Sequence, residues 1–343
     1  MSKNNPVEIV PGLHQISLPI PIKSLRNVFV YLAQDGEENL LIDTGWTGDE
    51  SYDALVDSLG QIGFSIDKIR NVVISHLHPD HFGLSARIKK ETSGCRIFMH
   101  RADADSLQEN VEDHERFLAN LHDWLRMHGT PDQILSEILQ SSTLENFINP
   151  AKPDVRVEGG ELLRVGKRFS FEVIHTPGHT IGQICLYDRG GSELLFSGDH
   201  LLPTITPNVS LSPLYEGDPL GDYLRSLEVL RPIRASRVLP SHEYVFDHLQ
   251  KRLDEIEEHH TERLQNTLEV VSVGGRAMSG YEVASKLRWY TGSWEKLSAW
   301  EKRAAVMETL AHLEYLRRKG KITEVQVGEG SDGRIQYLPL SSC

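Results

Sequence analysis

The chain is 343 residues long, 39% hydrophobic and 25% charged, a globular composition that excludes disordered, collagen-like and disulfide-scaffold classes and leaves room for one large domain and a smaller one. Its 36 Lys and Arg against 49 Asp and Glu leave a formal charge of −13, so nucleic acid is a disfavoured partner. No stretch approaches the roughly 18 apolar residues needed to span a bilayer and Met1 to Pro6 carry no apolar leader, which makes the cytoplasm the expected address, with no membrane partner.

In chain order, strands are expected at Val28 to Leu32 and Leu40 to Asp43, a helix from Ser51 to Gly60, and a strand at Val72 to Ile74. Arg101 to about Asn149 is almost free of glycine and breaks only near Gly129-Thr130-Pro131, so it reads as a helical insertion between sheet segments. Strand patterns resume at Phe169 to Ile174, Ile184 to Tyr187 and Leu194 to Phe196; a helix from Leu220 to Leu230 precedes a short strand at Arg237 to Leu239. A long helix is expected from Tyr244 to about Val271. Ser279-x-x-Glu282 and Ser298-x-x-Glu301 match the capping box and predict two further helices. The stretches 321–327 and 334–338 flank a glycine-rich tip, a hairpin that completes a winged-helix pattern. The change of pattern puts a boundary near residue 260, with 1–260 and 261–343 as the two domains.

The chemistry is concentrated after Ile74, where Ser75-His76-Leu77-His78-Pro79-Asp80-His81 packs three imidazoles and a carboxylate into six positions. In an extended segment, alternation puts His76 and His78 on one side, where both can reach one ion, and the turn at Pro79 sends Asp80 and His81 elsewhere, toward a second ion or position. Three more loops follow strands and carry ligand-type residues: His179, Asp199 and His242. Five His and two Asp exceed one tetrahedral zinc and suit two divalent ions sharing a carboxylate. Two such ions would generate hydroxide from a shared water near neutral pH and polarise the electrophile, so no protein nucleophile is required. Cys95, Cys185 and Cys343 read accordingly as incidental thiols.

These residues resemble the metallo-β-lactamase superfamily, whose His-x-His-x-Asp-His motif is matched by His76, His78, Asp80 and His81, with glyoxalase II among the relatives that share it. The resemblance covers about residues 7 to 255. It implies an α/β, four-layer αββα sandwich, with His76, His78 and His179 on one metal, Asp80, His81 and His242 on the other, and Asp199 bridging. Asp43, in Asp43-Thr44-Gly45, would support the metal loop from behind. His175, His200 and Glu243 adjoin ligands and are candidates to orient an imidazole or pass a proton. Pro203 to Asn208 resembles a loop beside the metals in bacterial members with a C-terminal winged helix.

The expected enzyme is a metal-dependent hydrolase of a small-molecule ester, thioester or lactone, with zinc first and manganese or iron as alternatives. The apolar stripe Phe117, Leu121, Trp124, Leu125 and Met127 is packing or, if it faces the metals, a seat for an acyl group. The rival is a single-strand endoribonuclease, because winged helices often bind nucleic acid. Against it, residues 262–343 carry 12 basic and 10 acidic side chains, a net +2, and the single basic cluster is Arg317 to Lys321. The winged helix is expected to pack against the catalytic domain or against a second subunit in a homodimer, with Trp289, Trp294 and Trp300 as apolar anchors.

Overall fold

In a computed structural model of the chain, which describes residues 5–21, 25, 27–112, 114–141, 151–213, 215, 217–290, 292–328 and 333–340, the strand alternation sorts side chains onto two different cores. Cys343 and the hairpin tip at 329–332 lie outside the described residues. The first sheet holds β1 (Val7–Val10), β2 (Leu13–Pro19), β3 (Asn27–Asp35), β4 (Glu38–Ile42), β5 (Asn71–Val73), β6 (Arg96–His100) and β7 (Val155–Val157), hydrogen-bonded in that order. The second holds β8 (Leu162–Val165), β9 (Phe169–His175), β10 (Ile184–Asp188), β11 (Leu194–Gly198) and β12 (Arg237–Pro240), in the reverse of chain order.

Along β3 the period-2 pattern is read directly. Val28, Val30 and Leu32 face a core shared with Leu55 and Leu59 of α1 (Asp49–Gln61) and Ile88, while Tyr31 and Ala33 face Phe171, Phe196 and Leu239 of the second sheet. The two sheets therefore pack face to face. A buried Tyr31 hydroxyl donates to the Pro240 carbonyl at 2.6 Å across them. The outward residues of the second sheet, Cys185, Tyr187, Leu195 and Val238, are buried as well.

Strand direction explains where the loops gather. β4 through β7 run parallel to one another; β11 runs parallel to β12 and antiparallel to β10, which is antiparallel to β9, so β9, β11 and β12 share a direction. The loops leaving the C-terminal ends of β4, β5, β9, β11 and β12 carry Asp43, the His76 cluster, His179, Asp199 and His242. Backbone bonds tie these ends together: Phe29 N to Ser241 O at 2.7 Å, Ser241 N to Gly198 O at 3.2 Å, and Ile184 N to Ser75 O at 2.9 Å.

The chain divides into two units, Met1–Val111, Leu144–Pro207 and Ser226–Leu253 against Glu112–Thr143, Asn208–Arg225 and Asp254–Cys343. A single cut near residue 260 misses this. Within the insertion, α2 (Pro79–Phe82) and α3 (Ser85–Glu91) having preceded it, most of α4 (Arg101–Glu112) belongs to the sandwich unit, whereas α5 (His114–Met127) and α6 (Asp132–Ser141) belong to the other. The reason is the apolar stripe: Leu121 and Leu125 are buried in one core with Leu135, Val283, Val306, Leu310 and Tyr337, and Phe117 and Trp124 pack against it.

α7 (Pro219–Leu230) matches its expected span, but α8 (Leu249–Val273) starts five residues after Tyr244. Phe246 pairs in both directions with Val238 instead, so 244–246 is held extended beside β12. Both capping boxes form, opening α9 (Gly280–Ala284) and α10 (Ala299–Arg318). β13 (Met278–Ser279), β14 (Ile322–Val327) and β15 (Arg334–Pro339) make a small antiparallel sheet in the order β13-β15-β14. Trp289 and Trp294 are half-buried against their own unit's core, and Trp300 is 45% exposed. Among the described residues no helix is long and apolar enough to cross a membrane.

Candidate metal centre

His76 sits in the loop after β5, and Pro79 at the first position of α2 starts a helix whose missing N–H costs nothing there. That single helical turn reverses the chain between His78 and His81, so the motif splits into two groups. His76, His78, His179 and Asp199 form one, with ligand atoms all within 4.8 Å of one another; Asp80, His81 and His242 form the other.

In the first group the His76 Nε2 and His179 Nε2 atoms each lie 3.0 Å from His78 Nδ1, and His179 Nε2 is 3.7 Å from Asp199 Oδ2. Ligands at about 2.0–2.1 Å around one tetrahedral ion sit roughly 3.3 Å apart, so this spacing fits a single cation. In the second, His81 Nε2 is 3.6 Å from both Asp80 Oδ1 and Asp199 Oδ1, and His242 Nε2 is 3.3 Å from Asp80 Oδ2 and 3.5 Å from Asp199 Oδ1. Asp199 thus offers one oxygen to each group. His81 Nε2, His242 Nε2 and Asp199 Oδ1 are buried without a properly formed hydrogen bond. Three converging orphan atoms, all able to donate a lone pair, are what a cation requires.

The electrostatics differ between the groups. Burial, then the facing imidazoles, push His76 well below its usual range and His78 to about 3, keeping their lone pairs free. Against the cost of burial, Asp80, Asp199 and Asp43 lift His81 well above its usual range, and Asp199 and Asp80 lift His242 to about 10. A cation binding there competes with protons those carboxylates favour.

The residues behind the ligands fix their orientation. Asp43, buried and in a left-handed backbone conformation (φ 61°), accepts from Ser75 N at 2.7 Å, Ser75 Oγ at 2.8 Å and His81 Nδ1 at 2.8 Å. Ser75 Oγ in turn faces His76 Nδ1 at 3.0 Å, so one carboxylate orients an imidazole in each group. Thr44 holds the His81 carbonyl through its N–H and hydroxyl, at 2.7 and 2.9 Å. His242 Nδ1 donates to the Asn27 carbonyl at 2.8 Å, leaving Nε2 for the centre. Asp43→Asn, which tolerates the same φ, is expected to weaken metal affinity about 10–100-fold, measured by competition with a chromogenic chelator. Unchanged affinity would show that the Asp43 charge does not orient the ligands.

Three candidates take roles other than those expected. His175 Nε2 donates to the Ile181 carbonyl at 2.9 Å and its ring stacks on His100 at 3.8 Å, so it braces the His179 loop. His200 is fully buried, and burial with the facing His179 pushes it to about 3, which makes it a neutral neighbour of the first group. The Glu243 carboxylate turns to the 204–205 amides and not to an imidazole.

The residue missed by sequence reasoning is Asp103. Its carboxylate accepts from Leu77 N at 2.8 Å, Thr180 Oγ1 at 2.8 Å and Gly182 N at 2.7 Å, joining the loop of His76 and His78 to the loop of His179. Nothing in the local sequence around Ala102-Asp103-Ala104 marks it.

The family model described as Metallo-beta-lactamase superfamily matches residues 24–242. The probable metallo-hydrolase YqjP of Bacillus subtilis (strain 168) is 25% identical over 327 residues, 91% of this chain and 94% of that protein. The acyl-coenzyme A thioesterase MBLAC2 of Homo sapiens is 25% identical over 228 residues, 62% of this chain and 72% of that protein. A crystal structure of a metallo-beta-lactamase family protein from Thermus thermophilus superposes with a TM-score of 0.81 at 28% identity, covering 97% of this chain and 100% of that one. With the converging His and Asp groups at the strand ends, these likenesses make the chain a metal-dependent hydrolase that belongs to the metallo-beta-lactamase superfamily.

Proposed function

We propose that the chain hydrolyses a small-molecule acyl compound, a thioester before an ester or lactone, with two divalent cations, zinc first and manganese or iron as alternatives. The observation that carries the two-cation reading is Asp199, whose two oxygens face different ligand groups. His76, His78 and His179 would hold one ion and Asp80, His81 and His242 the other, with Asp199 touching both. Every donor is nitrogen or oxygen, a set that suits those three metals. Bound there, the ions supply an activated water at neutral pH and polarise the acyl carbonyl. Asp80, whose oxygens face the His81 and His242 rings, would also take the proton of the attacking water and return it to the leaving group. A cysteine nucleophile has no support: both described thiols are buried, and burial pushes Cys185 up to about 12.

The relative whose name specifies acyl-coenzyme A thioester hydrolysis favours the thioester. The endoribonuclease reading is weaker because the basic cluster is partly neutralised: Arg317 and Arg318 both bond Glu314, at 2.6–2.8 Å, and the Lys319 ammonium lies over the Tyr315 ring. The order α8, α9, α10, then the β14–β15 hairpin supports reading the C-terminal segment as a winged helix.

The test is turnover of aryl esters, acyl thioesters and lactones beside labelled single-stranded RNA, with metal-loaded protein and Asp80→Ala as the blank. Thioester hydrolysis that vanishes in the blank, with RNA intact, is the expected result. RNA cleavage that vanishes in the blank, with the acyl panel untouched, would overturn it.

A further inference from the structure

β12 ends at Pro240, which has no N–H to give to a ladder, and its pairing with β11 is irregular just there: Phe196 lies opposite Leu239 but Gly198 opposite Pro240, so β11 advances two residues for one. Ser241 and His242 then leave the second sheet. Their loop is closed at its base by Val238 and Phe246, which exchange backbone bonds at 2.6 and 3.1 Å. What holds the stretch that carries His242 lies across the sandwich, in β3.

β4 stops pairing with β3 at Ile42 opposite Tyr31, and Phe29 and Asn27 bond the loop instead. Phe29 N donates to the Ser241 carbonyl at 2.7 Å, and the Asn27 carbonyl accepts from His242 Nδ1 at 2.8 Å. The third contact is made by a side chain, the Tyr31 hydroxyl, which donates to the Pro240 carbonyl at 2.6 Å. Asn27, Phe29 and Tyr31 are spaced by two along one strand, and they meet residues 242, 241 and 240 in turn. The hydroxyl has one proton and the carbonyl can only accept it, so the 3.1 Å bond between Tyr31 and Gln15 Nε2 is donated by the amide. Burial lifts the Tyr31 pKa far above the usual phenol range, which keeps the hydroxyl a donor. The Tyr31 ring also meets Phe196 edge-on at 5.2 Å, three residues before Asp199. One side chain thus touches both β11 and β12, the strands that lead into Asp199 and His242.

The geometry points to Tyr31 as a positioning residue that sets how far His242 reaches toward Asp80 and Asp199, and so governs the affinity of the Asp80, His81 and His242 group for its ion. Tyr31 touches no ligand atom and acts through Pro240, two residues before His242. Without the hydroxyl, the Pro240 carbonyl is a buried acceptor that has lost its partner, and it regains one only if the loop shifts toward water. This inference rests on the two-cation reading above, and its test has one arm that does not.

That arm is hydrogen exchange of the metal-free full-length protein, read at the Phe29 amide, whose acceptor is the Ser241 carbonyl. Tyr31→Phe, which keeps the ring against Phe196, is expected to speed exchange there about tenfold, and Gln15→Leu, which leaves the hydroxyl its bond to Pro240, to change it less than about threefold. The second arm is zinc release from fully loaded protein to a chromogenic chelator, followed as two steps, with His242→Ala marking the step that belongs to its group. Tyr31→Phe is expected to weaken the marked step about tenfold and the other less than about twofold, while Gln15→Leu leaves both in place. Unchanged exchange at Phe29 in Tyr31→Phe, or a Tyr31→Phe protein in which both steps weaken equally or neither weakens, would overturn the positioning role and leave Tyr31 as packing. If the wild type releases zinc in a single step, the two-cation reading fails, and Tyr31 keeps its role only if Tyr31→Phe and His242→Ala both weaken that step.

Discussion

Asp199→Ala is expected to lower turnover on the order of 10³-fold or more, about 4 kcal/mol of transition-state stabilisation, and to reduce metal content in both groups together. The argument is geometric. Oδ2 lies 3.7 Å from His179 Nε2 in one group, and Oδ1 lies 3.6 Å from His81 Nε2 and 3.5 Å from His242 Nε2 in the other, so one truncation removes a donor from each. It also removes a negative charge that faces five imidazoles, three of them buried, so two like-charged ions would lie closer to uncompensated repulsion. Metal analysis after dialysis, beside turnover, checks this. Loss of one ion with the other fully retained would show that Asp199 belongs to one group alone.

Asp103→Ala is expected to destabilise the fold by about 2–5 kcal/mol, since it strands two backbone N–H groups and a hydroxyl that the carboxylate now satisfies. For a unit of this size that corresponds to a fall in Tm of about 2–4 °C per kcal/mol. Burial lifts Asp103 to about 6, partly offset by its three donors, so at neutral pH it is the anion those donors require. The effect should reach the metal, because Leu77 lies between His76 and His78, and Thr180 adjoins His179. We expect affinity at that group to fall about 10–100-fold, as for other supports behind a ligand. Gly182→Ala should act similarly, because an added Cβ would sit 2.6 Å from Asp103 N and Cγ. A lower Tm with undiminished affinity would mean that Asp103 holds the fold and not the ligands.

Strands β3, β4, β5, β9, β10, β11 and β12, and the residue types that a metal cluster needs around His76, were legible because their signals are local; β1, β2, β7 and β8 were not. Alternation along Val28 to Leu32, and three histidines with an aspartate in six positions, are contained in short windows. The supports were not legible because they depend on contacts between distant segments. Asp103 lies 26 residues from Leu77 and 79 from Gly182, and a lone aspartate in a helix carries no mark of either. Glu243 and Arg252 meet the 202–205 backbone from about 40 to 50 residues away. The start of α8 was misplaced because helical composition begins at Tyr244, while Phe246 is held by β12. The grouping of α5 and α6 with the C-terminal segment was invisible for a related reason: an amphipathic stripe states that a face is buried, not what buries it.

The most direct measurement is diffraction from crystals of zinc-loaded protein at the zinc absorption edge, which locates each ion by its anomalous signal. The account predicts two peaks, one among His76, His78 and His179 and one among Asp80, His81 and His242, with Asp199 between them. A single peak at saturating zinc, or two peaks of which either lies outside these groups, would contradict the shared two-cation centre.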